Sequence, residues 1–589
     1  MPSIRAVRIF LAGIALPAAL LGTAAGPAHW VARVRMRDGI HLDTSIFLPS
    51  SNGRFPTVLV RTPYGKGSSL LPGYRVLLEH DYAIVVQDVR GRHGSEGVFN
   101  AFAREGPDGS DTIDWIARQP WSDGGVAMSG GSYLGFAQWE AALQGNPHLK
   151  AIFPAVSGSD PYRDRFYSPG GALKLGHRLA WFAENLSAPG FHASFGSYTR
   201  HLPLRTADRA ATGRTLEVFQ KVLSHPAYDS FWKKMGILNR LDKVHAAVFA
   251  MGGWYDNYVE GDLAAFSELS RLDRHPRLVI GPWPHNMSVK FRDVDFGPHS
   301  GAPIRRYQWQ WLDHVLKSPP STVPQEFSGP LRIFVIGANR WRDEQEWPLA
   351  RARSESLYLG ARGVLDREPA REEPPDRYLY DPQNPVPTRG GAVCCDPSLF
   401  PWGPMDQRPV EKRGDVLVYT GPVLKREMEV TGPIRVVLYI STTARDTDFT
   451  AKLVDVFPDG EARNLTDGIL RLRYRNGLDR AVMAKPGEVY AITIDAGVTS
   501  NVFLAGHRIR LEISSSNFPR FDRNPNTGTS IADETGWRTA LQSIYHDRKR
   551  PSALILPVVP ELTSFASTRY GSKRKLHSPT HDKGAVAKW

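Results

Sequence analysis

The segment 126–139 (VAMSGGSYLGFAQW) constrains the fold of this chain more than any other stretch. A short apolar run predicts a buried strand, the small residues after it permit a sharp reversal, and the remainder suits a helix. Ser132 would stand at the tip of this strand, turn and helix, beside the free N–H groups of the helix N-terminus. We therefore predict that Ser132 is a nucleophile.

The glycines around Ser132 leave a plain structural turn open as an alternative. The usual nucleophile motif, G-x-S-x-G, has glycine two residues after the serine. Here Leu134 holds that position and Gly135 comes next. The stretch alone does not decide between the two interpretations, so the partners of a nucleophile have to be sought elsewhere in the chain.

Length and charge set the broad class of the protein. A chain of 589 residues is too long for one core, and its content of 41% hydrophobic and 23% charged residues is typical of a multidomain globular protein. The net charge of +13 comes from scattered lysines and arginines, with clustering mainly in 568–583. No recognition module accompanies this charge, so we expect no nucleic-acid partner.

The first 28 residues have the pattern of a secretory signal. Arg5 and Arg8 precede the apolar run 9–21, and small residues occupy 22–28. We expect a secreted or periplasmic protein, with an uncleaved membrane anchor as the alternative. No other segment is long and apolar enough to span a membrane, so no membrane contact is expected after cleavage.

Cys394 and Cys395 are the two cysteines of the chain, and they are adjacent. They cannot close a loop, and two thiols are too few for a structural zinc site. We expect a pair of small buried residues, with a vicinal disulfide as the alternative. Motifs of the H-E-x-x-H type are missing from the sequence, and we expect neither a metal nor an organic cofactor.

Hydrophobic patterning divides the rest of the chain into three parts. Strands alternate with helices over 29–159 and 246–346, which predicts one α/β domain with a parallel sheet. The intervening residues 160–245 read as aromatic-rich helices that would cap the strand ends. Short alternating stretches over 347–565 predict an antiparallel β-sandwich, in which 368–407 is an irregular wrap, and 566–589 form a basic tail.

Three further polar residues follow predicted strands of the α/β domain. Tyr64, Asp256 and His285 each come just after an apolar run, as Ser132 does, and the carboxyl ends of parallel strands meet at one edge of a sheet. The order Ser132, Asp256, His285 is that of α/β-hydrolase triads. A serine hydroxyl needs an imidazole to take its proton, and the imidazole needs a carboxylate to orient it.

The oxyanion of such a reaction needs two hydrogen-bond donors. The sequence contains no His-Gly-Gly-Gly loop. The backbone N–H of Tyr133 can supply one donor, and the Tyr64 phenol the other. The alternative for Tyr64 is an aromatic residue that only packs a turn, and Asp88, Arg90 and Glu96 are expected to organise a loop.

Several motifs together resemble one family. These motifs are RTPYG from Arg61, QDVRGR from Gln87 with SEG from Ser95, GGSYLG from Gly130, GWYD from Gly253, GPWPH from Gly281, DTDF from Asp446, DGILR from Asp467 and RYR from Arg473. They are similar to the cocaine esterase and X-Pro dipeptidyl-peptidase family, in which Gly-x-Ser-Tyr-x-Gly is the normal turn.

The resemblance implies roles for five residues. Ser132 would be the nucleophile, Asp256 and His285 its partners, and Tyr64 with the Tyr133 amide the oxyanion donors. It also implies an α/β-hydrolase domain with a helical cap and a C-terminal galactose-binding-like jelly roll.

Substrate choice is the least determined property. Family members that act on α-amino acid esters carry acidic residues shortly after the triad aspartate, where this chain has Tyr258 and Val259, with Glu260 displaced by one residue. We expect a small-molecule ester or amide to be cleaved through an acyl-enzyme. X-Pro dipeptidyl-peptidase-like or β-lactam acylase activity is the alternative within the enzyme class. A carbohydrate- or surface-binding protein with an inactive hydrolase scaffold is the alternative outside it, and homo-oligomerisation stays open.

Overall fold

A computed structural model describes residues 28–317 and 329–560 of the chain. The predicted signal lies outside these residues apart from Ala28, and the predicted basic tail lies outside them entirely. Each part of the described chain is built around one β-sheet, ten-stranded in the N-terminal part and eleven-stranded in the C-terminal part.

The first sheet is mostly parallel. Its strands are β1 (Ala28–Arg35), β2 (His41–Leu48), β3 (Phe55–Thr62), β4 (Ala83–Asp88), β5 (Ser122–Gly131), β6 (Leu149–Ala155), β7 (Ala247–Tyr255), β8 (Arg277–Pro284), β9 (Leu331–Val335) and β10 (Arg340–Glu344). Their order across the sheet is β1-β2-β4-β3-β5-β6-β7-β8-β9-β10. The pairs β1/β2, β2/β4 and β9/β10 are antiparallel, and the other neighbours are parallel.

Both faces of this sheet are buried, as the near-continuous apolar runs of its strands require. Successive residues of a strand point to opposite faces. In β4, Ile84 and Val86 belong to one hydrophobic cluster, whereas Ala83 and Val85 belong to another. The predicted α/β layering is therefore present, with a separate apolar core on each side of the sheet.

Ten helices accompany the first sheet within the described residues. They are α1 (Pro72–Glu79), α2 (Glu105–Ala117), α3 (Tyr133–Ala142), α4 (Leu175–Leu186), α5 (Phe195–Arg200), α6 (Ala207–Thr212), α7 (Glu217–Ser224), α8 (Ser230–Met235), α9 (Val259–Arg271) and α10 (Ile304–Leu316). Shorter turns are a π-helical turn (Pro161–Phe166) and the 3₁₀ turns Leu204–Thr206 and Leu238–Lys243. Of the helices in the described ranges, none has the length and apolar character needed to cross a membrane.

Helices α4 to α8 lie between β6 and β7 and form the inserted helical segment. The sequence predicts helices over 173–185, 214–223 and 228–235, which correspond to α4, α7 and α8. It does not predict the short α5 and α6, which have too few residues for an apolar repeat. The residues 108–119 likewise predict a helix, which is α2, but its predicted start is wrong because the helix begins three residues earlier, at Glu105. The Glu105 carboxylate accepts hydrogen bonds from Arg61 and Tyr133, and these tertiary contacts are invisible to local periodicity.

The second sheet contains the remaining strands. They are β11 (Arg353–Gly360), β12 (Val364–Asp366), β13 (Asp376–Tyr380), β14 (Leu417–Thr420), β15 (Met428–Thr442), β16 (Asp448–Val456), β17 (Ala462–Arg471), β18 (Tyr490–Phe503), β19 (Arg508–Ser514), β20 (Ala540–Tyr545) and β21 (Ala553–Val559), with the short helix α11 (Arg408–Glu411) and the 3₁₀ turn Leu472–Tyr474. Their order is β13-β20-β15-β21-β11-β12-β14-β19-β16-β17, and β18 pairs with β15. All of these pairs are antiparallel except β12/β14. Strand β13 falls in the segment predicted to be irregular.

The helical insertion packs closely against the C-terminal β domain. Gly170 forms an isolated β-bridge with Leu470, and the Arg471 N–H donates to the Gly170 carbonyl at 2.9 Å. A β-carbon added at Gly170 would overlap the Ile469 carbonyl oxygen and lie 2.7 Å from the Leu470 Cα. Only glycine therefore permits this approach of two backbones.

We expect the substitution Gly170→Ala to lower the free energy of unfolding by about 1–3 kcal/mol, because overpacking at a backbone contact cannot be relieved by side-chain rotation. Gly196→Ala is the matched control, since a β-carbon there meets no atom within 4 Å and Gly196 lies in helix α5 of the same insertion. Chemical denaturation followed by fluorescence measures both. Equal stability of the two variants would contradict the packing argument.

Candidate active site

Ser132 lies between β5 and α3 with φ 57° and ψ −119°, a left-handed conformation that costs energy in a residue with a side chain. The flanking glycines make this turn sterically feasible. A β-carbon on Gly130 would lie 2.6 Å from the Leu134 Cβ, and one on Gly135 would lie 2.6 Å from the Ser157 Cβ. Leu134 therefore fits at the usual glycine position because Gly130 makes room for it.

The structure brings Ser132, His285 and Asp256 into one hydrogen-bonded chain. The His285 Nε2 is 3.0 Å from the Ser132 Oγ, and the His285 Nδ1 is 2.7 Å from the Asp256 Oδ1. Asp256 is fully buried, and its second oxygen accepts from the Tyr258 N–H at 3.3 Å. Asp256 follows β7 and His285 follows β8, so the strand ends position all three groups.

This geometry fixes the proton arrangement of the imidazole. An ionised carboxylate can only accept hydrogen bonds, so the proton lies on Nδ1 and faces Asp256. Nε2 then presents a lone pair to the Ser132 hydroxyl. An arrangement of this kind can remove a proton from the serine and stabilise the resulting imidazolium.

Tyr64 lies two residues after β3, and its phenol faces the same cavity as Ser132. The Tyr64 Oη accepts a hydrogen bond from the Trp181 Nε1 at 3.1 Å. Because an indole N–H can only donate, the phenolic proton of Tyr64 remains available to another acceptor. Burial raises the pKa of Tyr64 to about 12, which keeps that proton in place at neutral pH.

The backbone N–H of Tyr133 lies next to Ser132 at the start of α3, whereas its ring is engaged elsewhere. Tyr133 is the first residue of α3, where N–H groups have no partner within the helix. Its phenol points away from the reacting groups, donating to the Glu105 Oε1 at 2.8 Å and accepting from the Phe102 N–H at 3.2 Å. The side chain thus anchors the helix that presents the amide.

The other residues that line the cavity beside Ser132 include two arginines and a cysteine, which the sequence did not predict as site residues. Arg165 and Arg178 come from the helical insertion, and Cys395 comes from the C-terminal part. Arg178 lies on the buried side of α4, three residues after Leu175 and four before Phe182. The position of Arg178 among the apolar residues of one helix face is a sequence signal that could have identified it. Nothing in the sequence distinguishes Arg165.

Cys394 and Cys395 form a disulfide, so the expectation of two separate buried residues is wrong. Their sulfur atoms and a ring nitrogen of His285 all lie within 4.8 Å of one another, the one such cluster of three potential metal ligands in the described ranges. Soft metal ions bind thiolates, which a disulfide does not offer. The pair therefore forms part of the wall of the cavity next to the imidazole.

The charged loop after β4 is structural, as expected. The Asp88 carboxylate accepts from the Lys66 N–H at 2.6 Å, and Arg90 forms two hydrogen bonds with Asp108 at 2.9 and 2.7 Å. Glu96 pairs with Arg33 at 2.6 Å. These contacts tie the loop to the neighbouring hairpin and to α2.

Two family models match the chain over most of its length. Residues 38–287 match the X-Pro dipeptidyl-peptidase (S15 family) model, and residues 324–555 match that of the X-Pro dipeptidyl-peptidase C-terminal non-catalytic domain. The cocaine esterase of Rhodococcus sp. (strain MB1 Bresler) is 38% identical over 572 residues, covering 89% of this chain and 97% of the relative.

Solved structures of hydrolases are also similar to this chain over most of its length. An aminopeptidase from a marine sediment Thaumarchaeota archaeon superposes with a TM-score of 0.83 at 27% identity, covering 93% of this chain and 99% of that chain. An α-amino acid ester hydrolase superposes with a TM-score of 0.80 at 27% identity, covering 92% and 98%. These matches confirm the predicted α/β-hydrolase fold with a C-terminal all-β domain.

Thiol titration tests the disulfide directly. We expect no reactive thiol when the protein is denatured without a reductant and two per chain after reduction, because Cys394 and Cys395 are its two cysteines. The double variant Cys394→Ser/Cys395→Ser is the blank for both measurements. Two thiols in the unreduced protein would contradict the pairing.

Proposed function

This chain belongs to the cocaine esterase and X-Pro dipeptidyl-peptidase family, and on that premise we propose that Ser132, His285 and Asp256 carry out its hydrolysis of ester or amide bonds. The observation that carries the assignment is the hydrogen-bonded chain from the Ser132 hydroxyl through His285 to the buried Asp256 carboxylate. It supports a serine hydrolase acting on a small-molecule substrate.

The proposed reaction proceeds through an acyl-enzyme. His285 takes the Ser132 proton as the Oγ attacks the carbonyl carbon, and the Tyr133 amide and the Tyr64 hydroxyl donate to the resulting oxyanion. The imidazolium then protonates the leaving alcohol or amine as its bond to carbon breaks. Water, activated by the same imidazole, attacks the acyl-enzyme and releases the acid.

Finer features of the protein are further proposals. The sequence of residues 1–28 supports export to the periplasm or the medium, and N-terminal sequencing of the mature protein would test it. The mainly antiparallel strands of the C-terminal domain support a galactose-binding-like jelly roll. Acylase activity is a second possibility within the same mechanism, since the Ser132 oxygen can attack an amide carbonyl as it attacks an ester carbonyl.

Ser132→Ala should reduce kcat for short-chain nitrophenyl esters by about 1,000-fold or more, because no other group replaces the attacking oxygen. A fluorophosphonate probe should label the wild type at Ser132 and leave this variant unlabelled. Ser69→Ala, at an exposed serine of a surface loop, is the control and should react as the wild type does. Undiminished turnover by Ser132→Ala would reject the nucleophile.

Tyr64→Phe should lower kcat by about 100-fold with a smaller effect on KM, since the lost donor acts on charge that develops in the transition state. The donor works only while protonated, so it is lost as the pH rises through its pKa of about 12. The kcat of the wild type should therefore hold at about pH 10, where an ordinary tyrosine is half ionised. A decline of kcat with an apparent pKa near 10 would contradict this role.

A further inference from the structure

Two arginines line the cavity that contains Ser132, and the reaction described above uses neither. Arg165 belongs to the π-helical turn Pro161–Phe166, and Arg178 belongs to α4. Their relative exposures are 5% and 3%. Since a guanidinium stays protonated in proteins, the wall next to the nucleophile carries two buried positive charges.

Both arginines lack a carboxylate partner among the residues that the structure describes. No Asp or Glu within the described ranges forms an ion pair with Arg165 or Arg178, whereas Arg61 and Arg471, also buried, both do. The Nη2 of Arg178 donates to the Arg165 carbonyl at 3.2 Å and to the Tyr258 hydroxyl at 3.4 Å. Its Nε has no hydrogen-bond partner.

Aromatic rings surround both guanidinium groups. The Arg165 Cζ lies 4.3 Å from the Phe102 ring centroid and 4.2 Å from that of Phe136, and the Arg178 Cζ lies 4.9 Å from that of Phe166. Ring faces attract a cation but offer no acceptor for its N–H groups. Packing against these rings, with the Tyr258 hydroxyl beside both guanidinium groups, explains how the charges are tolerated, but it gives the Arg178 Nε no acceptor.

Buried groups of both signs surround the two arginines, and Asp164 and Glu260 oppose the charge of Lys174. Lys174 is buried nearby, and its Nζ donates to two backbone carbonyls, of Asp164 and Asn257. The pKa of His177 is held well below its usual value, first by burial and then by Arg178 and Lys174. Arg165 and Arg178 are the charged side chains that line the cavity of Ser132 itself, and both favour an anion there.

We infer that the substrate carries a carboxylate, which binds Arg165 and Arg178 while the ester or amide carbonyl lies against Ser132. The planar guanidinium matches the two oxygens of a carboxylate. The inference rests on the proposed function and deepens it by naming the substrate class. By the same electrostatics, a substrate with a free ammonium in this position is disfavoured.

Matched pairs of esters test whether the enzyme recognises a substrate carboxylate, and on which side of the ester bond that carboxylate lies. For the acyl side, mono-4-nitrophenyl adipate is compared with 4-nitrophenyl adipamate, in which a neutral amide replaces the carboxylate. For the leaving side, 3-acetoxybenzoate is compared with 3-acetoxybenzamide. We expect kcat/KM to favour the carboxylate about 10-fold or more in at least one pair. No preference in either pair would overturn the inference.

Variants then assign the preference to the two arginines. Arg178→Gln and Arg165→Gln should bring the carboxylate and neutral esters to nearly equal kcat/KM, while turnover of the neutral ester shows that the site is folded. Arg178→Lys should keep part of the preference for the carboxylate ester. It retains the positive charge but lacks the planar guanidinium that binds both carboxylate oxygens. Arg163→Gln, in the same turn but exposed, should leave the ratio unchanged. An unchanged ratio in both glutamine variants would reject the assignment.

The failure of each hypothesis has its own signature. Normal turnover by Ser132→Ala would reject the proposed function, and hydrolysis through Ser132 without a carboxylate preference would reject only the inference. Calorimetric titration of Ser132→Ala with adipate measures binding without turnover. We expect adipate to bind and this binding to weaken about 10-fold when Arg178→Gln is added. Absence of binding by Ser132→Ala would count against the carboxylate site.

Discussion

The backbone of Ser132 is strained, and the elements around it hold it in that conformation. A left-handed non-glycine residue costs about 1–3 kcal/mol, so its neighbours must fix it from several sides. The Ser132 N–H donates to the Ala155 carbonyl at 2.8 Å, and its carbonyl accepts from the Phe136 N–H at 3.0 Å. The first contact joins the turn to β6 and the second joins it to α3, so the hydroxyl stands where sheet and helix meet.

A buried ionic network fixes the N-terminal end of α3. Arg61 on β3 donates to the Glu105 carboxylate at 2.6 Å, and the other oxygen of Glu105 accepts from the Tyr133 phenol at 2.8 Å. The side chains of Arg61 and Glu105 are 0% and 6% exposed. A buried ion pair adds little net stability when it is complete, but losing one partner is costly. Its function here is positional, because it links β3, α2 and Tyr133, the first residue of α3 after Ser132.

The predictable part of the site was the part that follows from strand ends. Ser132, Asp256 and His285 each come directly after a strand, so chain order and sheet topology were enough to bring them together. Arg165, Arg178 and the disulfide were not predictable in this way. Their positions depend on how the helical insertion and the C-terminal domain fold back over the sheet, and no local pattern encodes such long-range packing. The start of α2 was missed for the same reason.

The residues at the strand ends and those of the helical insertion also have different chemical tasks. In the proposed reaction, the sheet supplies groups that act on any ester or amide carbonyl, since a hydroxyl, an imidazole and two donors do not depend on what the carbonyl carries. The insertion supplies Arg165 and Arg178, which line the same cavity. In the inference drawn above, they bind the carboxylate of the substrate away from the reacting atoms. Discrimination between substrates comes from such remote contacts, and an unpaired buried donor penalises a ligand that leaves it unsatisfied. The same fold can therefore keep its reaction and change its substrate by exchanging the residues of the insertion.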